Sequence, residues 1–211
     1  PMALRYLTAG ESHGPALTAI LEGLPAGLAL SEDLIAADLA RRQTGAGSGD
    51  RMSIEKDRAL ILAGVMEGIT TGAPLALQIV NKDHANWKGK AVPAYTTPRP
   101  GHADLAAAVK YGYADVRPSL ERSSARETAS RVAVGAVCRA FLNAFGITVG
   151  GYVSALGEHA ARLEGLPLQD RLSRARLSDA QCPDPDASEQ MAKAIEKARA
   201  AGETLGGLLE V

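Results

Sequence analysis

The stretch RSSARET (Arg122–Thr128) gathers two guanidinium groups and two serine hydroxyls in five successive residues at the start of a helical pattern. Ser124 with Glu127 three residues on fits a capping box, which places a helix N-terminus there. That end of a helix already carries about half a positive charge from its free amides. Arg122 and Arg126 raise the local potential further, at a cost in stability that an anion would offset. Helix N-termini suit phosphate, and guanidinium offers it a planar, two-pronged donor. Glu127 neutralises part of the charge, and a capped helix is by itself an ordinary feature. Two readings therefore stand on these residues, an anion site and a plain helix cap.

Other clusters carry the same ambiguity. Arg41, Arg42 and Arg51 flank the glycine-rich run Gly45-Ala-Gly47-Ser-Gly49. It is not a dinucleotide fingerprint, since Asp50 takes the last glycine position, and no GK[ST] follows to make a phosphate-cradling Walker loop. It reads either as a loop that closes over an anionic substrate or as a solvated basic loop. His13 in GESHG and His102 in RPGHAD sit in glycine-framed turns. A histidine held in a turn near arginines is placed for proton transfer near pH 7, although polar turns often contain histidine. His84 and His159 read as solvated loop residues. No HxH, HxxxH or HExxH spacing occurs, so no metal site is expected.

These groups need elements to hold them. Leu4–Thr8 and Ala16–Leu24 read as strands of a hairpin around GESHG. Ser31 caps a helix with Glu32 and Asp33 in its first turn, ending at Arg41-Arg42. Ala59–Val65 and Leu75–Val80 are apolar and β-branched, as strands are. Asn81–Pro100 reads as a loop, Asp104–Tyr113 as a short helix, and Ser124–Phe145 as a long helix stopped by Gly146. A strand over Ile147–Leu156, a stretch over Glu158–Pro185 that reads as irregular or as irregular with one helical turn, a helix over Ser188–Ala201 and a strand over Leu208–Val211 complete one expected domain, 1–211.

Composition narrows the function class. With 211 residues, 46% hydrophobic and 22% charged, the chain can bury a sizeable core, and its net charge of −1 argues against a nucleic-acid binder. Cys138 and Cys182 lack metal or CxxC spacing and read as reduced thiols. With no signal-like leader and no apolar run of about 20 residues, a cytoplasmic protein without a membrane partner is expected.

The motifs together resemble one family. GESHGPALTAILEGLP (Gly10–Pro25), RRQTGAGSGDRMSIEKD (Arg41–Asp57), GVMEGITTGAPLAL (Gly64–Leu77), NKDHANW (Asn81–Trp87), RPGHADL (Arg99–Leu105) and LERSSARETASRVAVGAV (Leu120–Val137) are similar to segments of the chorismate synthases. CPDPDASEQM (Cys182–Met191) and GETLGGLLEV (Gly202–Val211) follow in order, so the likeness spans essentially the whole chain.

The resemblance implies an α+β fold, a β-α-β sandwich with helices layered between antiparallel sheets, in a homotetramer. It implies a lyase that converts 5-enolpyruvylshikimate 3-phosphate to chorismate and phosphate by anti 1,4-elimination with reduced FMN. By the same resemblance His13 stands near the substrate phosphate and His102 beside the flavin. Arg122, Ser123 and Ser124 fall in the flavin-contacting segment, and Arg42, Arg51, Arg99 and Arg126 match arginines of the anionic pocket. The reductant is open between NADPH, with Arg42 and Ser48 as candidate contacts, and an outside donor. The chain departs from the family at Ser48, where an arginine is common, and in ending at Val211, where members continue. That ending leads to a second expectation, a non-catalytic half that binds flavin or phosphate weakly or needs a partner chain.

Overall fold

A computed structural model describes residues 3–44 and 56–211. Two compact units form, one from residues 3–42 and 56–144, the other from Phe145–Val211 with residues 43–44.

In the first unit, β1 (Arg5–Ala9) and β2 (Ala16–Glu22) make the expected hairpin, pairing Arg5 with Glu22 through Ala9 with Thr18. Two further strands, β3 (Ala59–Ala63) and β6 (Leu75–Val80), complete an antiparallel sheet of order β1-β2-β6-β3. A small hairpin of β4 (Val65–Met66) and β5 (Ile69–Thr70) lies between them in sequence. Alternation decides which face is buried: Leu17, Ala19 and Leu21 of β2 and Leu75, Leu77 and Ile79 of β6 point to the core. Two helices cover that face, α1 (Glu32–Arg42) through Ile35 and Leu39, and α5 (Thr128–Asn143) through Ala129, Ala133 and Val137. Each buried Leu, Ile or Val among these contributes about 1.5–3 kcal/mol by leaving water. Asp38 of α1, nearly buried, is paired with Arg139 of α5 at 2.6 Å.

Three short helices shape the rest of this unit: α2 (His84–Trp87), α3 (Asp104–Tyr111) and α4 (Arg117–Arg122). The sequence showed only α3. Four residues of α2 and six of α4 are too few to display a period of 3.6. The long helix also begins differently. Ser124 does cap, accepting from the Arg126 amide at 3.3 Å, but Ala125–Glu127 form a 3-10 turn before α5 starts at Thr128.

The second unit has a three-stranded antiparallel sheet, β8 (His159–Ala160), β7 (Tyr152–Leu156) and β9 (Gly207–Glu210), with α6 (Leu168–Arg176) and α7 (Pro185–Ala201). Met191 and Cys182 are buried beneath Val153 and Leu156. α7 starts three residues before Ser188 because Asp184 caps it, accepting from the amides of Asp186 and Ala187, and Pro185 enters at the first turn with its φ already helical. Both cysteines are free thiols, and burial pushes each of them up. Among the described residues, no helix is long and apolar enough to cross a membrane. The α+β class with antiparallel sheets expected from the sequence is the class found.

Candidate functional site

The GESHG turn joins β1 to β2, and its first glycine is required. Gly10 has φ +115°, and a Cβ there would lie 2.6 Å from the Ala16 carbonyl oxygen. Asn81, which follows β6 and is almost fully buried, then ties the turn down. Its Nδ2 donates to the carbonyls of Glu11 (3.1 Å) and Gly14 (2.8 Å), and its backbone amide donates to Pro15. A buried amide with its donors and acceptor satisfied fixes one geometry.

The turn presents His13 to Glu121 of α4. The His13 backbone amide donates to Glu121 Oε2 at 2.8 Å, and ring Nδ1 lies 2.8 Å from Glu121 Oε1. The Trp87 ring packs on the imidazole with centroids 4.1 Å apart, and Asp83 Oδ2 lies 4.0 Å from Nε2. His84, read from the sequence as solvated, is half-buried and holds the His13 carbonyl through Nδ1 at 2.8 Å. α2, with Asp83 just before it, brings His84 and Trp87 to this point, and α2 was not legible in the sequence.

Arg126 lies below the turn. Its side chain is 4% exposed; Nη1 donates to Asp57 Oδ1 at 2.6 Å and Nε to Asn81 Oδ1 at 2.8 Å. Arg42, at the end of α1, reaches the same Asp57 at 3.4 Å and donates to Thr128 Oγ1 and the Ala125 carbonyl. Burial lowers the Arg42 guanidinium, with Asp57 pulling it back up. Arg42 and Arg126 thus brace the 3-10 turn and the GESHG turn through one buried carboxylate.

The remaining residues of RSSARET open onto a hollow of about 750 Å³ lined by Arg122, Ser123, Ser124, Glu127, Arg131 and the Tyr111–Tyr113 ring pair, among others. Those two rings sit 5.4 Å apart and 32° from parallel. Arg122 donates from Nη2 to the Thr8 carbonyl (3.0 Å) and hydroxyl (2.9 Å) and remains 42% exposed. Glu127 turns its carboxylate to Thr8 Oγ1 (2.6 Å) and Arg131 Nε (2.7 Å). Burial alone would raise Glu127, but Thr8, Arg131 and Arg122 outweigh it and hold the carboxyl below its usual range. The positive charge at this helix mouth is therefore answered in part within the chain, as the capped-helix reading allows.

His102 is exposed and anchored by Nδ1 to the Pro100 carbonyl at 2.9 Å. The next residue, Ala103, lines the hollow. The same turn is closed by Arg99, which grips the fully buried Asp104 through Nε (2.8 Å), Nη2 (3.1 Å) and its backbone amide. These bonds from Arg99, led by its side chain, hold the Asp104 carboxyl at about 2, against an ordinary 3.8. Because the folded value is depressed, the stabilisation is complete above about pH 4 and is lost as pH falls through about 2. Arg99 is 38% exposed, so solvent screening reduces the effect to about 1–2 kcal/mol. Urea unfolding at pH 5 and pH 2 should show Asp104→Asn losing less stability over that span than the unsubstituted protein. An equal loss would mean that Asp104 does not titrate in this way.

The structure thus brings Arg122, Ser123 and Ser124 to one hollow and His13 to the neighbouring helix residue Glu121. It seats Arg42 and Arg126 on Asp57 and Arg99 on Asp104. Arg51 and Ser48 lie outside the described residues. Sequence reasoning missed Asp57, Asn81, Asp83 and Glu121, all of which stand inside quoted motifs but were overlooked beside the arginines and histidines. Among the described residues, no group of three or more His, Cys, Asp or Glu side chains could hold a metal ion.

Comparison with known proteins adds the wider frame. A family model described as chorismate synthase matches residues 4–211. A chorismate synthase of Trichlorobacter lovleyi is 52% identical over 99% of this chain and 55% of its own length. One of Geobacter sulfurreducens is 54% identical over the same shares, 99% and 55%. A crystal structure of chorismate synthase superimposes with a TM-score of 0.80 at 42% identity, covering 99% of this chain and 57% of that one. The chain spans about 55% of the length of the relatives it matches.

Proposed function

Since the chain belongs to the chorismate synthase family, we propose that it supplies the His13 and helix-mouth part of a lyase of the shikimate pathway. The reaction is the loss of phosphate and a proton from 5-enolpyruvylshikimate 3-phosphate to give chorismate. One observation supports this reading most. Adjacent residues of α4 serve both halves of the chemistry, with Glu121 holding His13 and Arg122 opening onto the donor-lined hollow.

The chain's residues fit those roles. His13, with one ring nitrogen hydrogen-bonded to a carboxylate, is built to deliver a proton to a departing phosphate. Arg122 offers a half-exposed guanidinium where negative charge gathers. A hollow of about 750 Å³ is of the size that cofactors occupy, and its paired tyrosines offer an apolar wall for a flat ring system. Arg122, Ser123 and Ser124 would hold FMN there, with His102 beside it in the family pattern. Reduced FMN supplies electron density that side chains lack. Arg42, Arg51, Arg99 and Arg126 are the arginines of the anionic site in this reading; three of them also brace its walls through Asp57 and Asp104. NADPH as reductant, with Arg42 and Ser48 near it, a homotetramer and a cytoplasmic setting belong to the same reading.

The deciding experiment mixes the protein with the enolpyruvyl substrate and reduced FMN without oxygen and follows phosphate. Release that falls when Arg122→Ala weakens flavin binding supports the lyase. Flavin binding without any release would favour a non-catalytic half.

A further inference from the structure

Resting on the reading of His13 as proton donor, we propose that Glu121 is the positioning residue of that histidine. It fixes which ring nitrogen keeps a proton and which one exchanges it. Two donors of His13 meet the two oxygens of one carboxylate: the backbone amide at Oε2 and ring Nδ1 at Oε1, both at 2.8 Å. Such a carboxylate only accepts, so Nδ1 must carry the hydrogen in that bond. Transfer to a reacting group then runs through Nε2.

The other contacts described around His13 act on its backbone and its ring plane. Trp87 limits ring rotation by packing at 4.1 Å and is itself held by Asp83, which accepts from the indole Nε1 at 3.0 Å. His84 holds the His13 carbonyl, and the Glu121 carbonyl accepts the Ser12 amide at 3.1 Å. These contacts seat the backbone and ring plane, but they do not choose between the two nitrogens. Asp83 Oδ2, 4.0 Å from Nε2, lies beyond hydrogen-bond length. The chain separation of 108 residues means that α4 must be folded against the turn before the histidine is set. With side chains 21% and 17% exposed, His13 and Glu121 are sheltered enough for the bond to persist.

The acid is needed as a carboxylate. Glutamine has one acceptor oxygen, and the backbone amide of His13 can only donate, so in Glu121→Gln the oxygen goes to that amide and the NH2 to Nδ1, which must then accept. The Ser12 contact uses the backbone of residue 121 and survives the change.

The test reads the His13 ring directly by nitrogen–proton correlation NMR on the flavin-free protein, and phosphate release in parallel. At a pH where the ring is neutral, the unsubstituted protein should keep its one proton on Nδ1. Glu121→Gln should move it toward Nε2 and lower kcat about 10–100-fold with KM little changed, as for partners that orient a metal-bound histidine. Glu121→Asp, which keeps the carboxylate, should restore part of both. A ring pattern unchanged in Glu121→Gln, or a fall in kcat with a rise in KM and a lowered unfolding midpoint, would overturn the proposal. If the unsubstituted protein releases no phosphate, the elimination reading fails, while the ring pattern still decides the place of Glu121.

Discussion

Arg126→Ala should lower the free energy of unfolding by about 3–5 kcal/mol, because it removes the shorter-range cation of a buried carboxylate. Asp57 is 1% exposed at its side chain, and Arg126 supplies its shorter ion pair at 2.6 Å; Arg42 stands off at 3.4 Å. The substitution also leaves Asn81 Oδ1, which accepts from Arg126 Nε at 2.8 Å, without that donor beneath the GESHG turn. Arg126→Lys should recover only part of the loss, since one ammonium cannot reproduce the guanidinium fork that spans Asp57 and Asn81. Arg122→Ala is the control: that side chain is 42% exposed, and its removal should cost about 1 kcal/mol or less. Urea midpoints for the three variants would decide it. A near-neutral Arg126→Ala would show that this guanidinium is not a structural brace.

The second large effect concerns chemistry. In the protein carrying this sequence, His13→Ala should reduce phosphate release about 10²–10⁴-fold, the range expected when a positioned acid is removed. The unfolding midpoint should change little, since the turn keeps Asn81, Ser12 and Gly10. Rate assays beside thermal unfolding separate the two. A variant that unfolds early would place the loss in the fold, and one that retains full activity would remove His13 from the reaction.

The sequence disclosed the frame better than the contacts. The β1–β2 hairpin, the two core-covering helices and the cap at Ser124 were legible because alternation, helical period and capping chemistry are local signals. α2 and α4 were not, since one or two turns show no period. The site was legible in its cations and imidazoles but not in the acids that hold them. Glu121 acts across 108 residues and Asp57 across 69 to Arg126, and one-dimensional spacing cannot report such pairs. The expectation that crowded arginines face an outside anion was also incomplete. Glu127, Asp57 and Asp104 each take up part of that charge inside the chain.

The link between Arg42 and Asp57 has a consequence for length variation. These residues stand 15 apart in sequence and 3.4 Å apart in space, so they fasten both ends of the intervening segment to one point. The end of α1 and the approach to β3 are therefore pinned by contact as well as by chain, whereas an insertion within the GESHG turn would act on Gly10, which already has a carbonyl against it.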